Sequence, residues 1–240
     1  MPLLEAANLT KNYGYRKVVD GASFHVDEGE IVGLLGPNGA GKTTSFRMML
    51  GIIEPNSGEV RFRGQVINRL PMFKRARLGI GYLSQQPSVF QRLTVRDNVL
   101  AILEFTKRSR RERHEKAKAL LESFGLLIVA DSMAYTLSGG ERRRLEILRS
   151  LITEPKTILL DEPFSGVDPK SVAEIQVLIQ SLAASGIAIL LTDHSVRDTL
   201  KVTNRAYIID EGKIMVHGSP EDIIHNDYAR HRYLGMDFTL

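Results

Sequence analysis

The stretch that decides the fold of this 240-residue chain is Gly36-Pro37-Asn38-Gly39-Ala40-Gly41-Lys42-Thr43-Thr44. It follows an apolar run at 31–35 and precedes a segment with apolar residues at 46, 48, 49 and 50. This order predicts a strand, a glycine-rich loop and a helix. Glycines let successive backbone N–H groups turn inward around an anion, and the following helix adds the positive end of its dipole. The loop is therefore predicted to cradle a phosphate group.

The loop also carries the side chains that a nucleoside triphosphate needs, and its spacing matches the whole Walker A pattern. Lys42 would reach the β- and γ-phosphates, and the Thr43 hydroxyl would ligate the accompanying magnesium ion. The other predicted nucleotide-binding residues of the loop are Asn38, Gly39, Ala40, Gly41 and Thr44. The alternative, a glycine-rich turn that carries Gly-Lys-Thr by chance, is disfavoured by the strand and helix patterns on either side.

Composition excludes several classes of protein. Cysteine is absent, so no disulfide framework is possible. The first nine residues contain no basic segment and include Glu5, which does not resemble a signal peptide. Apolar runs such as 187–191 are far shorter than the roughly 20 residues that span a bilayer. We therefore expect a chain that does not itself cross a membrane.

The net charge of +4 is concentrated in one segment. Between Lys107 and Lys118 there are seven Lys or Arg residues against Glu112 and Glu115, a local charge of +5, which leaves the remaining chain at −1. Such a run is most often the solvated face of a helix, and the alternative is contact with anionic lipid headgroups or a partner. No aromatic residue interleaves the cations, so nucleic acid is not an expected partner.

Two buried strands are predicted to deliver catalytic side chains. The apolar run 157–160 ends in Asp161 and Glu162, and the run 187–191 leads to His194. In parallel sheets the carboxyl ends of strands are where nucleotides bind. Asp161 would hold magnesium through water, and Glu162 would polarise the attacking water. The alternatives are two acids that cap the next helix and a histidine with a structural role.

The segment 94–153 is predicted to be helical and to contain no strand. Apolar residues recur at helical spacing from 94 to 124, and Leu137-Ser138-Gly139-Gly140-Glu141 precedes a predicted helix at 142–153. By itself this motif would be only a capped turn. Strands are predicted at 3–9, 17–26, 59–63 and 79–83, a helix at 170–184, and a hairpin formed by 205–210 and 213–217.

These motifs together resemble those of ABC transporter ATPases. The matching stretches are the Walker A loop 36–43, the Q-loop residue Gln85, the signature 137–141, the Walker B segment 158–162, the D-loop 165–168 and the H-loop residue His194. The resemblance covers essentially the whole chain. It implies an α/β fold in one domain, 1–240: a P-loop NTPase (RecA-like) core with an antiparallel β subdomain at 1–93 and 154–240, and a helical subdomain at 94–153.

The resemblance further implies an ATP- and magnesium-dependent ATPase that works as a homodimer with two ATP sites. Ser138, Gly139 and Gly140 of one copy would contact the γ-phosphate held by the other copy's Walker A loop. Gln85 would sense magnesium and water while its loop touches a membrane partner. Tyr13 matches the position of the family's adenine-stacking aromatic residue, whereas spacing alone equally allows an ordinary strand-edge tyrosine.

Within the family the chain most resembles the ATPases that power lipopolysaccharide export, and the alternative is a branched-chain amino-acid importer ATPase. Either resemblance implies transmembrane permease partners and a position on the cytoplasmic face of the inner membrane. ABC proteins that act on DNA or ribosomes usually carry two cassettes or a long coiled-coil insert, and this sequence has neither. Ser84 and Leu148 depart from the usual proline and alanine, which bears on packing and not on chemistry.

Two apolar segments are predicted to meet partners. Phe90 and Leu93 follow the Q-loop, where a groove would receive a partner helix and Arg92 would bind the terminal carbonyls of that helix; the alternative is an apolar plug. The segment 233–240 is too apolar for a freely solvated end. We expect the second copy to cover this tail in preference to the chain's own core, because a symmetric contact is made twice.

Overall fold

The computed structural model describes all 240 residues, arranged in two sheets and nine α-helices. The strands are β1 Leu4–Tyr13, β2 Arg16–Val26, β3 Ile31–Leu35, β4 Ser57–Phe62, β5 Gln65–Val66, β6 Ile80–Leu83, β7 Thr157–Asp161, β8 Ala188–Thr192, β9 Arg205–Asp210 and β10 Lys213–Gly218. The helices are α1 Lys42–Leu50, α2 Met72–Leu78, α3 Val95–Leu103, α4 Arg110–Ser123, α5 Gly139–Leu151, α6 Pro169–Ala184, α7 Val196–Leu200, α8 Pro220–His225 and α9 Asp227–Ala229. No helix among them combines the length and the apolar character that a membrane span requires.

The predicted antiparallel β subdomain is confirmed as a four-stranded sheet in the order β2-β1-β4-β5. Its buried face presents Leu4, Ala6 and Leu9 of β1, which alternate with more exposed residues until a bulge after Ala6 breaks the register. β1 continues to Tyr13 instead of ending at Leu9, because its hairpin with β2 pairs Tyr13 with Arg16. The two-residue strand β5 is too short to have a sequence pattern.

The second sheet has six strands in the order β10-β9-β3-β8-β7-β6, and all neighbours are parallel except β9 and β10. The three central strands β3, β7 and β8 are buried at every position. Their continuous apolar runs reflect this, because helices cover both faces of a parallel sheet. Asp161 pairs with Thr192 at the carboxyl ends of β7 and β8, so the residues that follow these strands emerge at one edge.

The region between β6 and β7 contains α3, α4 and α5, and its helical character is confirmed. Each of these helices begins at a side-chain cap, which is supplied by Thr94, Ser109 and Ser138 respectively. α5 begins at Gly139, three residues before the predicted start, because Ser138 and Glu141 form a reciprocal capping box that places both glycines in the first turn. The apolar faces of these helices and of α6 share one core of 28 buried residues with the sheet.

Helix α2 was absent from the sequence-based prediction. Its residue Arg75 is buried, and its guanidinium donates to the main-chain carbonyls of Asn68, Leu70, Met48 and Met49 over 2.7–2.9 Å. Two of these carbonyls belong to the last turn of α1, so the side chain completes the end of that helix. Burial lowers the pKa of Arg75 to about 10. The helix is held by this polar contact and not by an apolar stripe, which explains why periodicity did not reveal it.

The tail packs on its own subunit, so the expectation that the second copy covers it is wrong for its main apolar residues. Tyr233, Leu234 and Phe238 lie against a small core cluster that includes Leu200 and Ile208. The π-helical turn Arg230–Leu234 follows α9 directly and turns these side chains back towards α7 and β9. Apolar content correctly indicated a covered tail, and the covering surface is the chain's own body.

Candidate functional site

The Walker A loop connects β3 to α1 with the backbone that only glycine readily adopts. Gly41 has φ 107° at the start of α1, and Gly39 has φ 80°. A Cβ atom on Gly36 would lie 2.0 Å from the carbonyl oxygen of Ile209, and one on Gly41 would lie 2.7 Å from that of Val18. Side chains at these two positions would therefore push the loop away from the strands that support it.

One open cavity of about 150 Å³ gathers most of the predicted nucleotide-binding residues. It is lined by Val18, Asn38, Gly39, Gly41, Lys42, Thr43, Thr44, Glu162 and His194. Ala40 is buried and does not line the cavity; its carbonyl accepts from Gly212 over 3.0 Å and anchors the loop to the β9–β10 hairpin. The loop thus offers backbone donors and polar side chains on one side and a carboxylate on the other.

Lys42 is the one Lys or Arg residue that lines this cavity. Its ammonium group donates to the carbonyl oxygens of Gly36 over 2.6 Å and Pro37 over 2.9 Å, and the side chain is almost fully buried. Burial lowers the pKa of Lys42, and the nearby Glu162 and Asp161 partly offset the effect. The arrangement concentrates positive charge where the loop would hold phosphate oxygens.

The residues after β7 and β8 meet beside the loop, as the sheet topology predicts. Glu162 has φ 53°, a conformation that is rare for a residue with a side chain, and its carboxylate contacts two polar side chains. Gln85 Nε2 donates to Oε2 over 2.9 Å, and His194 Nε2 contacts Oε1 at 2.6 Å. The structure therefore brings together three predicted catalytic residues from three separate loops.

Asp161 lies one residue before Glu162 and is buried at the end of β7. Its side chain accepts only a long 3.4 Å hydrogen bond, from the hydroxyl group of Tyr82. Burial raises the pKa of Asp161, with a smaller contribution from Glu162, and hydrogen bonding to Tyr82 opposes the shift. A buried carboxylate with spare acceptor capacity is a suitable partner for a hydrated cation.

The signature residues lie away from this cavity. Ser138 and Gly139 are exposed at the start of α5, and neither lines the cavity with the Walker A loop. Gly140 is buried against α6, where a Cβ atom would lie 2.2 Å from Ser171 Oγ. Within one chain, the predicted ATP-binding residues therefore fall into two separate surfaces.

Tyr13 also lies outside the cavity, with 50% of its surface exposed at the end of β1. Lys11 Nζ lies 5.7 Å from the centre of its ring. The guanidinium of Arg16, the residue paired with Tyr13, lies 3.8 Å from the position that a Cβ atom on Gly39 would take. The hairpin thus approaches the Walker A loop, and the stacking of Tyr13 on adenine stays a prediction.

Sequence reasoning missed Arg143, which connects the signature helix to the catalytic turns. Its guanidinium donates to the main-chain carbonyls of Ser84, Asp161, Glu162 and Pro163 over 2.7–3.2 Å. It also pairs with Glu146 at 2.9 Å, and both side chains are about 95% buried. The available signal was the pair of opposite charges, three residues apart, on the apolar stripe of α5.

The segment after Gln85 carries an exposed aromatic ring on a fixed backbone. The buried side chain of Asn98 accepts from the backbone N–H of Phe90 over 2.8 Å and donates to its carbonyl over 3.0 Å. The Phe90 ring is 49% exposed, and the Arg149 guanidinium lies 4.5 Å from its centre. Arg149, which sequence reasoning did not identify, also donates to the carbonyl of Ser88.

The model of the ABC transporter family matches residues 19–165, and the chain therefore belongs to this family of transport ATPases. Among curated proteins it is similar to the lipopolysaccharide export system ATP-binding protein LptB. The identity is 50% over 238 residues with the protein of Acidithiobacillus ferridurans, covering 99% of each chain. With that of Haemophilus influenzae it is 49% over 241 residues, covering 100% of each.

Solved structures agree on the fold. The ADP conformation of an ATP-binding cassette of an ABC transporter is 30% identical with a TM-score of 0.90, and the match covers 98% of this chain and 99% of that one. A dimeric bacterial ABC transporter cassette is 26% identical with a TM-score of 0.80, over 90% of this chain and 98% of that one. The α/β P-loop fold predicted from the sequence is confirmed.

Proposed function

We propose that this chain is the ATPase subunit that powers lipopolysaccharide export from the inner membrane. The observation that carries the proposal is the identity of 49–50% with LptB proteins over the full length of both chains. The ABC cassette of known structure described above is 30% identical over the same length, so the similarity to LptB exceeds what the shared fold accounts for. The transported lipid itself would not touch this subunit.

ATP would bind with its phosphates on the Walker A loop. Lys42 would exchange its hydrogen bonds with the Gly36 and Pro37 carbonyls for bonds to β- and γ-phosphate oxygens. Backbone N–H groups of Gly39, Gly41 and Thr44, at the start of α1, would add donors to the phosphate chain. Tyr13 would stack on adenine, because its half-exposed ring leaves one face available.

The donor set fits a magnesium ion, which prefers oxygen ligands and retains several waters. Thr43 would supply a hydroxyl oxygen, Gln85 an amide oxygen, and Asp161 a carboxylate that acts through water. Asp161 is buried with a single long hydrogen bond, so its acceptor sites are available. When bound, the ion would supply positive charge that offsets the negative charge developing during phosphoryl transfer.

Glu162 would orient the attacking water and accept its proton. Gln85 and His194 already bind its two carboxylate oxygens, one each, which fixes the plane of the carboxylate before nucleotide arrives. Arg143 holds the carbonyl of the same residue. The conformation of Glu162 is thus constrained at the side chain and at the main chain, which favours a positioned base.

Two copies would combine to form complete ATP sites. Ser138 and Gly139 are exposed at a helix N-terminus and have no phosphate-binding partner in their own chain. Such a helix end favours an anion, and a second copy placed head to tail would present it to the γ-phosphate. The dimer of the related cassette supports association of this kind.

Permease subunits would bind over Phe90 and Arg92 and hold the dimer on the cytoplasmic face of the inner membrane. An exposed aromatic ring on a fixed backbone suits a partner helix, because the backbone does not have to be ordered on binding. Arg149 also lines a cavity of about 170 Å³ with Met72 and Tyr82, which extends this surface towards α2. Met72 is 40% exposed, so the surface is apolar as well as basic.

The test is to isolate the tagged chain from its native membrane and identify the permeases that accompany it. The expected result is recovery of permeases of the lipopolysaccharide-export type, in a complex that hydrolyses ATP. Reconstituted in vesicles, that complex should release lipopolysaccharide only with hydrolysable ATP. The Glu162→Gln variant is the matched control, since it should recover the same permeases without release. Recovery of amino-acid permeases instead would favour the importer function.

A further inference from the structure

The basic segment Lys107–Lys118, with Phe105 just before it, forms a surface that we call the basic patch. Some of its cations have carboxylate partners: Arg108 and Lys116 contact Glu154 at 2.9 Å and 3.7 Å, and Arg111 contacts Glu115 at 3.3 Å. Four others, at positions 107, 110, 113 and 118, have no carboxylate within 4.0 Å. An internal ion-pair network therefore accounts for fewer than half of the seven charges.

The stability of α4 does not account for the unpaired cations either. Arg110, Arg111 and Arg113 lie in the first turn of α4, where the helix dipole is positive and cations are unfavourable. The same turn contains a capping box in which Ser109 and Glu112 bind each other's backbone N–H groups. This box offsets a charge arrangement that weakens the helix end. The cations are therefore better explained by an external anionic partner.

Phe105 adds an apolar component to the patch. Its side chain is 93% exposed in the loop between α3 and α4, two residues before the first cation, Lys107. Its backbone is fixed by a hydrogen bond of 3.1 Å to the carbonyl of Ile102. An exposed aromatic ring beside cations is the combination that lies at the headgroup level of a bilayer. Asp97 and Glu104 line a cavity with Arg110 and Arg113 and lower the local charge by two, which leaves the patch with a net positive charge.

The patch lies beside the surface proposed for the permeases. Helix α3 carries Asn98, which binds the backbone of Phe90, in its first turn, and it ends at Leu103, two residues before Phe105. Its nine residues correspond to about 13 Å. Helix α5 gives a second connection between the two surfaces. Its residue Arg149 lies on the Phe90 ring, and Glu154, three residues after the end of α5, contacts two cations of the patch. A subunit docked through Phe90 would thus hold the patch near the bilayer.

We propose that the basic patch binds the surface of a membrane that contains anionic phospholipids. Charge complementarity selects this occupant: unpaired Lys and Arg side chains would contact headgroup phosphates, and Phe105 would enter the boundary between headgroups and acyl chains. The contact would orient the subunit against the bilayer independently of the molecule that is transported. The inference goes beyond the proposed export function. The position of the patch beside the bilayer rests on the proposed permease surface at Phe90, whereas vesicle binding by the isolated chain does not.

The direct test is flotation of the full chain with lipid vesicles. We expect binding to phosphatidylcholine vesicles that contain about 30 mol% phosphatidylglycerol and little binding to phosphatidylcholine alone. Raising the salt concentration from about 0.1 M to about 0.5 M should release the protein, because screening shortens the reach of its charges. Equal binding to both vesicle types would overturn the proposal.

A matched pair of triple variants assigns the binding to the patch. Lys107→Gln/Arg110→Gln/Arg113→Gln should lower the partition coefficient at least about tenfold. The control Lys201→Gln/Lys213→Gln/Arg232→Gln removes the same charge from exposed cations on and around the β9–β10 edge, and should bind normally. Phe105→Ser should lower binding several-fold. Unchanged circular dichroism and ATP affinity would verify that each variant is folded.

Two results would overturn the proposal. If both triple variants lost vesicle binding equally, the net charge of the protein would control binding, and the position of the cations in the basic patch would not matter. Normal vesicle binding by the patch variant, with loss of permeases from the purified complex, would identify a protein as the occupant. Either result leaves the export function untouched, because that proposal depends on which permeases accompany the chain.

Discussion

Arg143 donates a 2.7 Å hydrogen bond to the main-chain carbonyl of Glu162, so a residue of the signature helix holds the backbone of the proposed catalytic base. The same guanidinium binds the carbonyl of Ser84, next to Gln85. One buried side chain thus joins the signature helix, the Walker B turn and the Q-loop. Since Ser138 caps the same helix, we expect a shift of α5 to be transmitted to the carboxylate that is proposed to orient water.

The first prediction concerns this buried pair. Arg143→Met should lower the free energy of unfolding by about 3–5 kcal/mol, because it leaves Glu146 buried without its partner. Adding Glu146→Leu should recover part of that loss. The control is Arg142→Met, which removes a single hydrogen bond of 3.1 Å to the carbonyl of Leu137 and should cost about 1 kcal/mol or less. Urea titrations measure all three variants, and similar losses for Arg143→Met and Arg142→Met would contradict the prediction.

The second prediction concerns the chemical step. Glu162→Gln should lower the ATPase rate of the assembled transporter about 100-fold or more while the subunit still binds ATP, since the amide cannot accept the proton from water. An ATP-bound dimer should accumulate and be visible by size-exclusion chromatography. Glu122→Gln, which alters an exposed carboxylate of α4 away from the site, serves as a control and should retain full activity. Near-normal turnover by Glu162→Gln would remove Glu162 from its role.

The sequence predicted most of the site because its signals are local or follow from topology. The Walker A loop requires glycines at fixed spacing, and parallel strands bring Glu162 and His194 to one edge whatever the surrounding packing. Arg143, Arg75 and Arg149 were not predicted, because each binds main-chain carbonyls that are distant in sequence, by as many as 61 residues in the case of Arg149. Any residue offers such a carbonyl, so the sequence does not indicate which carbonyls these side chains reach.

The surface that covers an apolar segment was harder to predict from the sequence than the residues of the ATP site. The apolar tail indicated that something covers it, but burial is non-directional and does not identify the covering surface. The structure packs Tyr233, Leu234 and Phe238 on their own subunit. Helix α2 shows the opposite case, in which one buried guanidinium replaces the apolar stripe that periodicity detects.

The third prediction concerns the permease surface. Phe90→Ala and Arg149→Ala should each reduce recovery of the permeases with the tagged chain, because they remove the ring and the guanidinium stacked on it. ATP binding by the isolated subunit should be unchanged. Met215→Ala provides the control: Met215 is 45% exposed, similar to Phe90 at 49%, but lies on β10 at the opposite edge of the sheet. Equal recovery with all three variants would locate the groove elsewhere.

The fourth prediction concerns the packed tail. Deleting residues 238–240 should lower the thermal midpoint of the isolated subunit by a few degrees, because Phe238 packs on the core and against Arg197, 5.6 Å from its ring centre. The deletion also removes the carbonyl of Thr239, which accepts from Arg197 over 2.9 Å. Met236→Ala, at a position 55% exposed, should leave the midpoint unchanged. A normal midpoint with defective dimerisation would instead assign the tail to the second copy.

The final prediction uses the titration of Tyr233 to test the same packing. Burial raises the pKa of Tyr233 to about 12, against an ordinary value near 10 in the unfolded chain. Between these values the folded state retains a proton that the unfolded state has lost, so the free energy of unfolding must fall as the pH rises. The contribution is on the order of 1 kcal/mol at about pH 11.

The test compares wild type with Tyr233→Phe. Burial also raises the pKa of Tyr82 to about 12, but Tyr82 is present in both proteins, so its contribution cancels in the comparison. Urea titrations at about pH 9 and about pH 11 should therefore show a smaller loss of stability in the variant. Identical losses would mean that Tyr233 is ionised as easily in the folded protein as in water, and that the tail is not packed on the core.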